Sequence, residues 1–233
     1  GGGNGSADPN NPEAGLFLYE RGELRKLVDG DDLVPGKNVR FFDFNREEAG
    51  FDFDGQQAVF LGGYGQFTGV TGVVCSVTVS GELRVLAGAP EYSFDYVSGR
   101  PRLDRDGVVF NATDNSTLKR AIMLYRNGVL SAVVRETDNK TGLGSLFLYG
   151  QLDLARHSRR LVFRGRTFRE GLYWIDDDVG QTIVQAGMPF GGSKIVTESI
   201  VELFDGRGFD GRHVAFNVRY TDGTDAIFLT DLG

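Results

Sequence analysis

Clusters of aspartate in short, turn-like stretches are the residues of this chain that most directly suggest chemistry. Calcium is bound by several carboxylate and carbonyl oxygens on a flexible loop, and the best-placed cluster is Asp176, Asp177 and Asp178. No acidic stretch has the residue spacing of an EF-hand loop, and Asp also favours plain turns because it hydrogen-bonds its own backbone. A calcium site and a set of plain turns are therefore both open interpretations. The stretches are DGDD (29–32), DFDG (52–55), DRDG (104–107), TDNST (113–117), TDNKT (137–141), DDDVG (176–180) and TDGTD (221–225).

A second set of aspartates precedes stretches that end in Val-Phe or Ala-Phe. Carboxylates that converge on one channel could hydrolyse a glycoside, a reaction that needs two of them at a set separation. The alternative is an Asp-Gly hairpin that recurs because the surrounding unit recurs. Catalytic groups are rarely copied in every unit, so the pattern favours the hairpin, and we predict no catalytic residue. The aspartates are Asp54, Asp106 and Asp210, with Asp52 and Asp104 two residues before the first two.

The stretch RHSRRLVFRGRTFRE (156–170) holds seven basic residues in an otherwise acidic protein. A surface patch of arginines could bind an acidic glycan or an acidic neighbour. The alternative is a solvated edge strand whose charges block unwanted pairing. The binding hypothesis names Arg159, Arg160, Arg164, Arg166 and Arg169.

The elements that carry these residues recur along the chain. DGQQAVFLG (54–62), DRDGVVFNA (104–112), HSRRLVFRG (157–165) and FDGRHVAFNV (209–218) place Phe60, Phe110, Phe163 and Phe216 at spacings of 50, 53 and 53 residues. We call these the VF strands. Each is followed by an apolar strand that begins with a small residue, such as GLYWIDD (171–177), and then by a strand such as GQTIVQA (180–186).

Repeats of roughly 40 to 55 residues built from short strands are typical of propeller blades. We therefore predict an all-β, β-propeller-like domain over 15–233, with four repeats in four or five blades, after a flexible Gly-rich tail over 1–14. Turns such as ERG (20–22) and RNG (126–128) supply glycine where a hairpin needs positive φ.

The repeat resembles those of exported bacterial proteins that carry an NxxGxxAF motif. The residues that carry this resemblance are GRHVAF (211–216), GQQAVF (55–60) and GVVF (107–110), and the "giy"-type strands GLYWI and AIFLT. The resemblance covers roughly residues 15–233 and implies an extracellular or cell-surface location in a bacterium. We expect no signal sequence within this chain.

Composition excludes two classes of partner and leaves the ligand open. The net charge of −7 argues against nucleic acid, and no apolar run is long enough to span a bilayer. We expect a non-catalytic scaffold, binding or self-assembly module whose partner is a protein or glycan at the cell surface, or a second copy joined through terminal strands. The alternative is a carbohydrate-active enzyme that uses the channel aspartates, and the only cofactor we consider is calcium.

Overall fold

The chain is all β, as the sequence predicts. The computed structural model describes residues 15–41, 51–66, 69–88, 94–104, 107–114, 119–136, 139–140, 143–145, 154–157, 160–176, 179–203 and 208–233. Within these ranges the chain forms strands and turns and contains no helix, so no helix there is long and apolar enough to cross a membrane.

Internal contacts divide the chain into two compact units. Unit 1 comprises Gly1–Pro101 and Ala112–Leu118, and unit 2 comprises Arg102–Asn111 and Lys119–Gly233. The predicted tail over 1–14 lies outside the described residues, and the single domain over 15–233 stays a prediction.

Unit 1 begins with a hairpin followed by an antiparallel sheet. The hairpin consists of β1 (Gly15–Glu20) and β2 (Glu23–Asp29). The sheet has the order β3-β4-β5-β6. Its strands are β3 (Phe51–Phe53), β4 (Gln57–Gln66), β5 (Gly69–Thr78) and β6 (Leu83–Gly88).

The later strands form further small antiparallel sheets, and the division between the units falls within β7 and β8. The sheet orders are β10-β9-β8-β7, β11-β12, β13-β14-β15-β16 and β17-β18-β19. The strands are β7 (Phe94–Asp104), β8 (Gly107–Asp114), β9 (Lys119–Arg126), β10 (Val129–Arg135), β11 (Asn139–Lys140), β12 (Gly144–Ser145), β13 (Leu154–His157), β14 (Arg160–Arg166), β15 (Glu170–Asp176), β16 (Val179–Gln185), β17 (Val196–Leu203), β18 (His213–Tyr220) and β19 (Asp225–Asp231).

Two hairpins turn where the sequence places glycine. Arg21 and Gly22 have φ of 54° and 90°, and Asn127 and Gly128 have φ of 52° and 80°. Two central residues with positive φ form the type I′ turn, whose twist matches that of paired strands. These turns therefore fix the registers of β1 with β2 and of β9 with β10.

The same β-bulge occurs in the hairpin and in each four-stranded sheet. Leu16 pairs with Val28 and Phe17 with Lys26, so Leu27 has no partner in the register. Leu86, Val133 and Ile183 are the extra residues in β6, β10 and β16. A bulge marks one position in each sheet, so it defines corresponding residues.

By this criterion two positions of β1 correspond to positions of β15, and one position of β2 corresponds to one of β16. Leu16 and Leu18 in β1 match Leu172 and Trp174 in β15, and the bulged Leu27 matches Ile183.

The four VF strands, β4, β8, β14 and β18, each occupy the second position of their sheet. Phe60 lies opposite Cys75, Phe163 opposite Tyr173, and Phe216 opposite Phe228. Ile227 and Leu229 of β19 therefore correspond to Leu172 and Trp174 of β15.

Unit 1 has its core between the hairpin and the sheet β3–β6. Val28 and Phe41 pack with Phe60 and Cys75, and the rings of Phe41 and Phe60 are 6.0 Å apart at 56°. Strand alternation sends every second side chain of β4 and β5 into this core.

Unit 2 has a core on each face of the sheet β13–β16. The first, which we call the outer core, packs Val162, Leu172 and Trp174 against Val214 and Phe216 of β18. The inner core lies on the opposite face and joins this sheet to β8, β9 and β10. It packs Val109, Ile122, Val134 and Leu143 with Leu161, Phe163, Tyr173 and Ile175. Burial of both faces explains why the central residues of these strands, 161–163 of β14 and 172–175 of β15, are apolar in succession.

Candidate functional site

The predicted calcium ligand Asp176 is held by a cation of the protein itself. Its Oδ2 lies 3.2 Å from Nε of Arg160, and both side chains are half-buried. Asp177 and Asp178 lie outside the described residues. No group of three or more His, Cys, Asp or Glu side chains able to hold a metal occurs in the part of the chain that the structure describes, so the calcium site stays a prediction.

Arg160, a predicted binding residue, links three segments of unit 2. Besides Asp176, its Nη1 donates to backbone oxygens of Gly211 at 2.9 Å and Gly233 at 2.6 Å. Its guanidinium carbon lies 5.6 Å from the ring centre of Trp174, within reach of a cation–π interaction. The structure thus pairs one predicted binding residue with one predicted metal ligand.

The other predicted arginines differ in their surroundings. Arg164 forms an ion pair with Glu170, with Nε 2.7 Å from Oε1. Arg169 donates to the carbonyl of Ala186 at 3.3 Å, Arg166 is exposed at the end of β14, and Arg159 lies outside the described residues. Two of these cations are thus engaged within the sheet, and the glycan patch stays a prediction.

Two of the aspartates before the VF strands, Asp54 and Asp210, cap turns. Asp54 accepts backbone N–H groups of Gln56 and Gln57 at 2.8 and 2.9 Å. Asp210 accepts those of Arg212 and His213 at 2.8 and 2.6 Å. The following Gly55 and Gly211 have φ of 94° and 99°, so the two turns share one geometry.

Asp52 and the remaining aspartates of this set add little to the catalytic alternative. Asp52 accepts the N–H of Phe53 at 2.9 Å. The side chain of Asp104 and all of Asp106 lie outside the described residues. Asp52 lies in β3, whereas Asp54 and Asp210 act in local turns of the kind that the hairpin interpretation describes.

Hydrogen bonds make Asp210 a persistent anion. The backbone N–H groups of His213 and Arg212, followed by the His213 side chain 3.0 Å away, lower the pKa of Asp210 well below its ordinary value. Such an aspartate is too weak a base for acid–base catalysis near neutral pH.

In two other acidic turns, side chains of the protein donate hydrogen bonds to the carboxylates. Lys26 lies 3.1 Å from Asp29 and 3.3 Å from Asp32 in the stretch 29–32. In the stretch 221–225, hydrogen bonds from Thr224 and then Lys194 lower the pKa of Asp222 to about 2. Both turns hold their carboxylates with donors of the chain, as plain turns do.

Cys75 is not placed as a nucleophile. It is fully buried between β4 and β6, and this burial raises the pKa of its thiol to about 12. The thiolate is the reactive form of cysteine, so the Cys75 side chain is unreactive at neutral pH.

An apolar groove lies along β1 in unit 1. Its volume is about 360 Å³, within the range of small binding pockets. It lies along β1 and faces β3 and the start of β4. The lining residues are Gly15, Leu16, Phe17, Leu18, Leu27, Phe51, Phe53 and Ala58.

The groove corresponds to the filled centre of the outer core of unit 2. Phe53 pairs with Ala58, just as Phe209 bridges Val214, and Leu18 corresponds to Trp174. In unit 2 those residues close around Val162 of the VF strand β14, and β14 contacts β17. Among the described strands β1 pairs only with β2, so within the described residues no strand takes the β14 position at the groove.

Two exposed apolar faces complete the set of candidate surfaces. Ile227 and Leu229 on β19 are 71% and 72% exposed, although their counterparts in β15 are buried. On the hairpin, Phe17, Tyr19 and Leu24 are exposed by 44%, 71% and 68%. Exposed apolar side chains that cluster on one face mark interaction surfaces.

Comparison with known proteins supplies no identity. No protein-family model matches the sequence, and no curated protein matches it. The function must therefore be argued from these surfaces.

The groove and the exposed faces were not predicted from sequence as sites. A signal existed, because GLFLYE carries Leu18 where EGLYWID carries Trp174, but the residue correspondence needs the register of the bulge.

Proposed function

We propose that the protein is a non-catalytic, β-propeller-like module that binds partners and assembles with copies of itself on the outside of a bacterial cell. The extracellular location rests on the resemblance to NxxGxxAF repeats. The non-catalytic role is supported by Asp54 and Asp210, which cap turns, and by the buried Cys75.

The apolar face of β19 carries this proposal. In β15 the corresponding side chains, Leu172 and Trp174, pack against the next sheet. Ile227 and Leu229 occupy the same positions of β19 yet are largely exposed. A residue pattern that stacks sheets inside unit 2 is thus present again on an open face.

The occupant we propose for this face is the hairpin β1–β2 of a second copy. In the inner core, Tyr173 and Ile175 of one sheet pack on Ile122 of the sheet before it. The corresponding residues of the hairpin are Phe17 and Tyr19, both exposed. One copy therefore presents the β19 face and another the matching hairpin face, which is a heterologous, head-to-tail contact.

Light scattering during size-exclusion chromatography over a range of concentrations tests the assembly. The average molar mass of the wild-type protein should rise above the 25.5 kDa of the monomer as the protein concentration rises. The double variant Ile227→Thr/Leu229→Thr keeps strand propensity but removes the apolar contact. Its dissociation constant should rise at least tenfold, because burying each such side chain contributes about 1.5–3 kcal/mol.

Phe168→Thr is the matched control. Phe168 is 88% exposed in the turn between β14 and β15, so its loss should leave assembly unchanged. A strictly monomeric wild-type protein, or equal weakening by both variants, would contradict the proposal. Assembly should be the same with calcium or EDTA, because the described acidic turns 29–32 and 221–225 hold their own donors.

The propeller-like form is a separate part of the proposal. The second position of every VF strand and the face-to-face packing of sheets in unit 2 support it. Small-angle scattering at dilution should give a radius of gyration of roughly 17 Å, the value for a compact chain of this length. A clearly larger radius for the monomer would contradict a propeller-like packing of the sheets.

A further inference from the structure

The open edge of β1 is the starting point. A strand edge carries unpaired N–H and C=O groups that can template another strand. In the sheet β13–β16 the corresponding edge of β15 pairs with β14 along seven residues, from Arg160 opposite Asp176 to Arg166 opposite Glu170. Among the described strands, β1 has no such partner.

The groove beside this edge would receive a side chain of the added strand. Val162 of β14 lies opposite Trp174 and belongs with Trp174 and Val214 to the outer core. The matching residues in unit 1, Leu18 and Ala58, line the groove and leave about 360 Å³ between them and their neighbours. The open backbone edge and the apolar groove therefore lie along the same four residues of β1.

The pairing of β14 with β15 indicates which residues a strand added to β1 needs. Val162 lies opposite Trp174 and Phe163 opposite Tyr173, so β1 would place Val opposite Leu18 and Phe opposite Phe17. Arg160 lies opposite Asp176, and the corresponding acid on β1 is Glu20. Glu20 pairs with Glu23 across the hairpin, and both are exposed. Nε of Arg21 lies 3.8 Å from Glu20, so two acids face one base and this end favours a further basic residue.

We infer that β1 and its groove bind an extended segment of another polypeptide as an added antiparallel strand. The segment has the sequence pattern basic–apolar–Val–aromatic. Its backbone pairs with β1, its Val enters the groove beside Leu18, and its basic residue lies against Glu20. Strand addition of this type draws affinity from backbone hydrogen bonds and specificity from alternate side-chain pockets.

This inference rests on the proposed role as a binding module but uses a surface other than the β19 face. The two proposals therefore fail separately. The Ile227→Thr/Leu229→Thr variant should bind the strand as well as the wild type does. A wild-type protein that stays monomeric yet binds the strand would contradict only the head-to-tail contact.

The test uses the full chain and a labelled synthetic peptide, RLVFRGR, which copies residues 160–166. Fluorescence anisotropy should show saturable binding of one peptide per chain at concentrations below self-assembly. Hydrogen exchange should slow at the amides of β1 when the peptide is bound. A peptide with Asp in place of Val should bind at least tenfold more weakly, because its charge would be buried without a partner.

Two variants of the protein locate the site. Leu18→Lys places a charge in the groove and should weaken binding at least tenfold. The matched control is Leu33→Lys, which changes a 52% exposed residue of unit 1 outside the hairpin and the groove and should leave binding unchanged. Circular dichroism of both variants at equal temperature checks that the fold is retained.

A charge exchange fixes the orientation of the added strand. Glu20→Lys should lower the affinity for RLVFRGR by roughly two- to fivefold, the range of an exposed ion pair. The peptide ELVFRGR should bind that variant with the affinity restored. Unsaturable binding, equal effects of the two lysine variants, or unchanged exchange in β1 would each overturn the inference.

Discussion

The hairpin side of unit 1 and the outer core of unit 2 contain corresponding residues in two different states. Around β14, the side chains of Leu172, Trp174 and Val214 close on Val162 and exclude water. Around the open edge of β1, Leu16 and Leu18 line a groove instead.

The difference shows what one strand contributes to such a sheet. A two-stranded hairpin is only marginally stable without further strands or packing, and the hairpin β1–β2 keeps one exposed face. The outer core, in contrast, has strands on both sides of the contact. We therefore expect the same substitution to cost much more in the outer core than at the groove.

The largest expected effect is at Trp174. Its side chain is nearly buried in the outer core, so Trp174→Ala should lower the free energy of unfolding by about 3–5 kcal/mol. Leu18→Ala at the corresponding position should cost about 1 kcal/mol, because Leu18 is only half-buried and lies at an open groove. Urea denaturation measures both free energies of unfolding. It is followed by circular dichroism because Trp174→Ala removes the fluorescence of the only tryptophan in the sequence.

Equal costs for these two substitutions would mean that the groove is closed in solution. A third variant, Val129→Ala, changes a largely exposed residue of β10. It should stay within about 0.5 kcal/mol of the wild type, which sets the baseline for the comparison.

The sequence predicts the strand content and the turns because those depend on local patterns. Alternating apolar residues bounded by glycine locate β4, β14 and β18, and the positive-φ turns of the hairpins follow from Arg21-Gly22 and Asn127-Gly128. A propeller-like arrangement of the sheets stays a prediction, because it depends on contacts between distant segments, which local alternation does not specify.

The candidate sites were harder to predict, for a different physical reason. Charged stretches are conspicuous in a sequence, but Arg160 and Asp176, proposed for different ligands, are paired with each other. The groove is made of ordinary apolar residues, and the β-bulge fixes the correspondence of Leu18 with Trp174 that the likeness of GLFLYE to EGLYWID only suggests. A bulge shifts the register by one residue without a distinctive sequence signal in β2 or β16.

A smaller effect is expected at two corresponding glycines. A Cβ added to Gly171 would lie 2.5 Å from the carbonyl oxygen of Val184, and one added to Gly15 would lie 2.5 Å from that of Val28. Gly171→Ala should lower the free energy of unfolding by about 1–3 kcal/mol. Gly15→Ala should mainly loosen the hairpin, which hydrogen exchange of β1 and β2 would report.

Gly30→Ala is the control for these substitutions. Its added Cβ would lie 3.8 Å from the nearest atom, an ordinary contact, so stability should be unchanged or slightly higher. A loss of global stability in Gly15→Ala as large as that in Gly171→Ala would show that the hairpin unfolds together with the rest of unit 1.

The smallest expected effect concerns acid and the turn that leads into β18. The pKa of Asp210 is lowered from its ordinary 3.8, first by the backbone N–H of His213 and then by that of Arg212. Folded protein therefore binds fewer protons at this carboxylate than unfolded protein does. Its contribution to stability is complete above about pH 4 and is lost as the pH falls.

Asp210→Asn should make the thermal midpoint less sensitive to pH in that acidic range, while the turn persists at neutral pH because Asn also accepts backbone hydrogen bonds. His213→Gln should keep most of the sensitivity, since the backbone donors are the first causes of the shift and the His213 side chain only the third. Identical acid profiles for Asp210→Asn and the wild type would mean that the turn at Gly211 opens in solution and leaves this carboxylate without its donors.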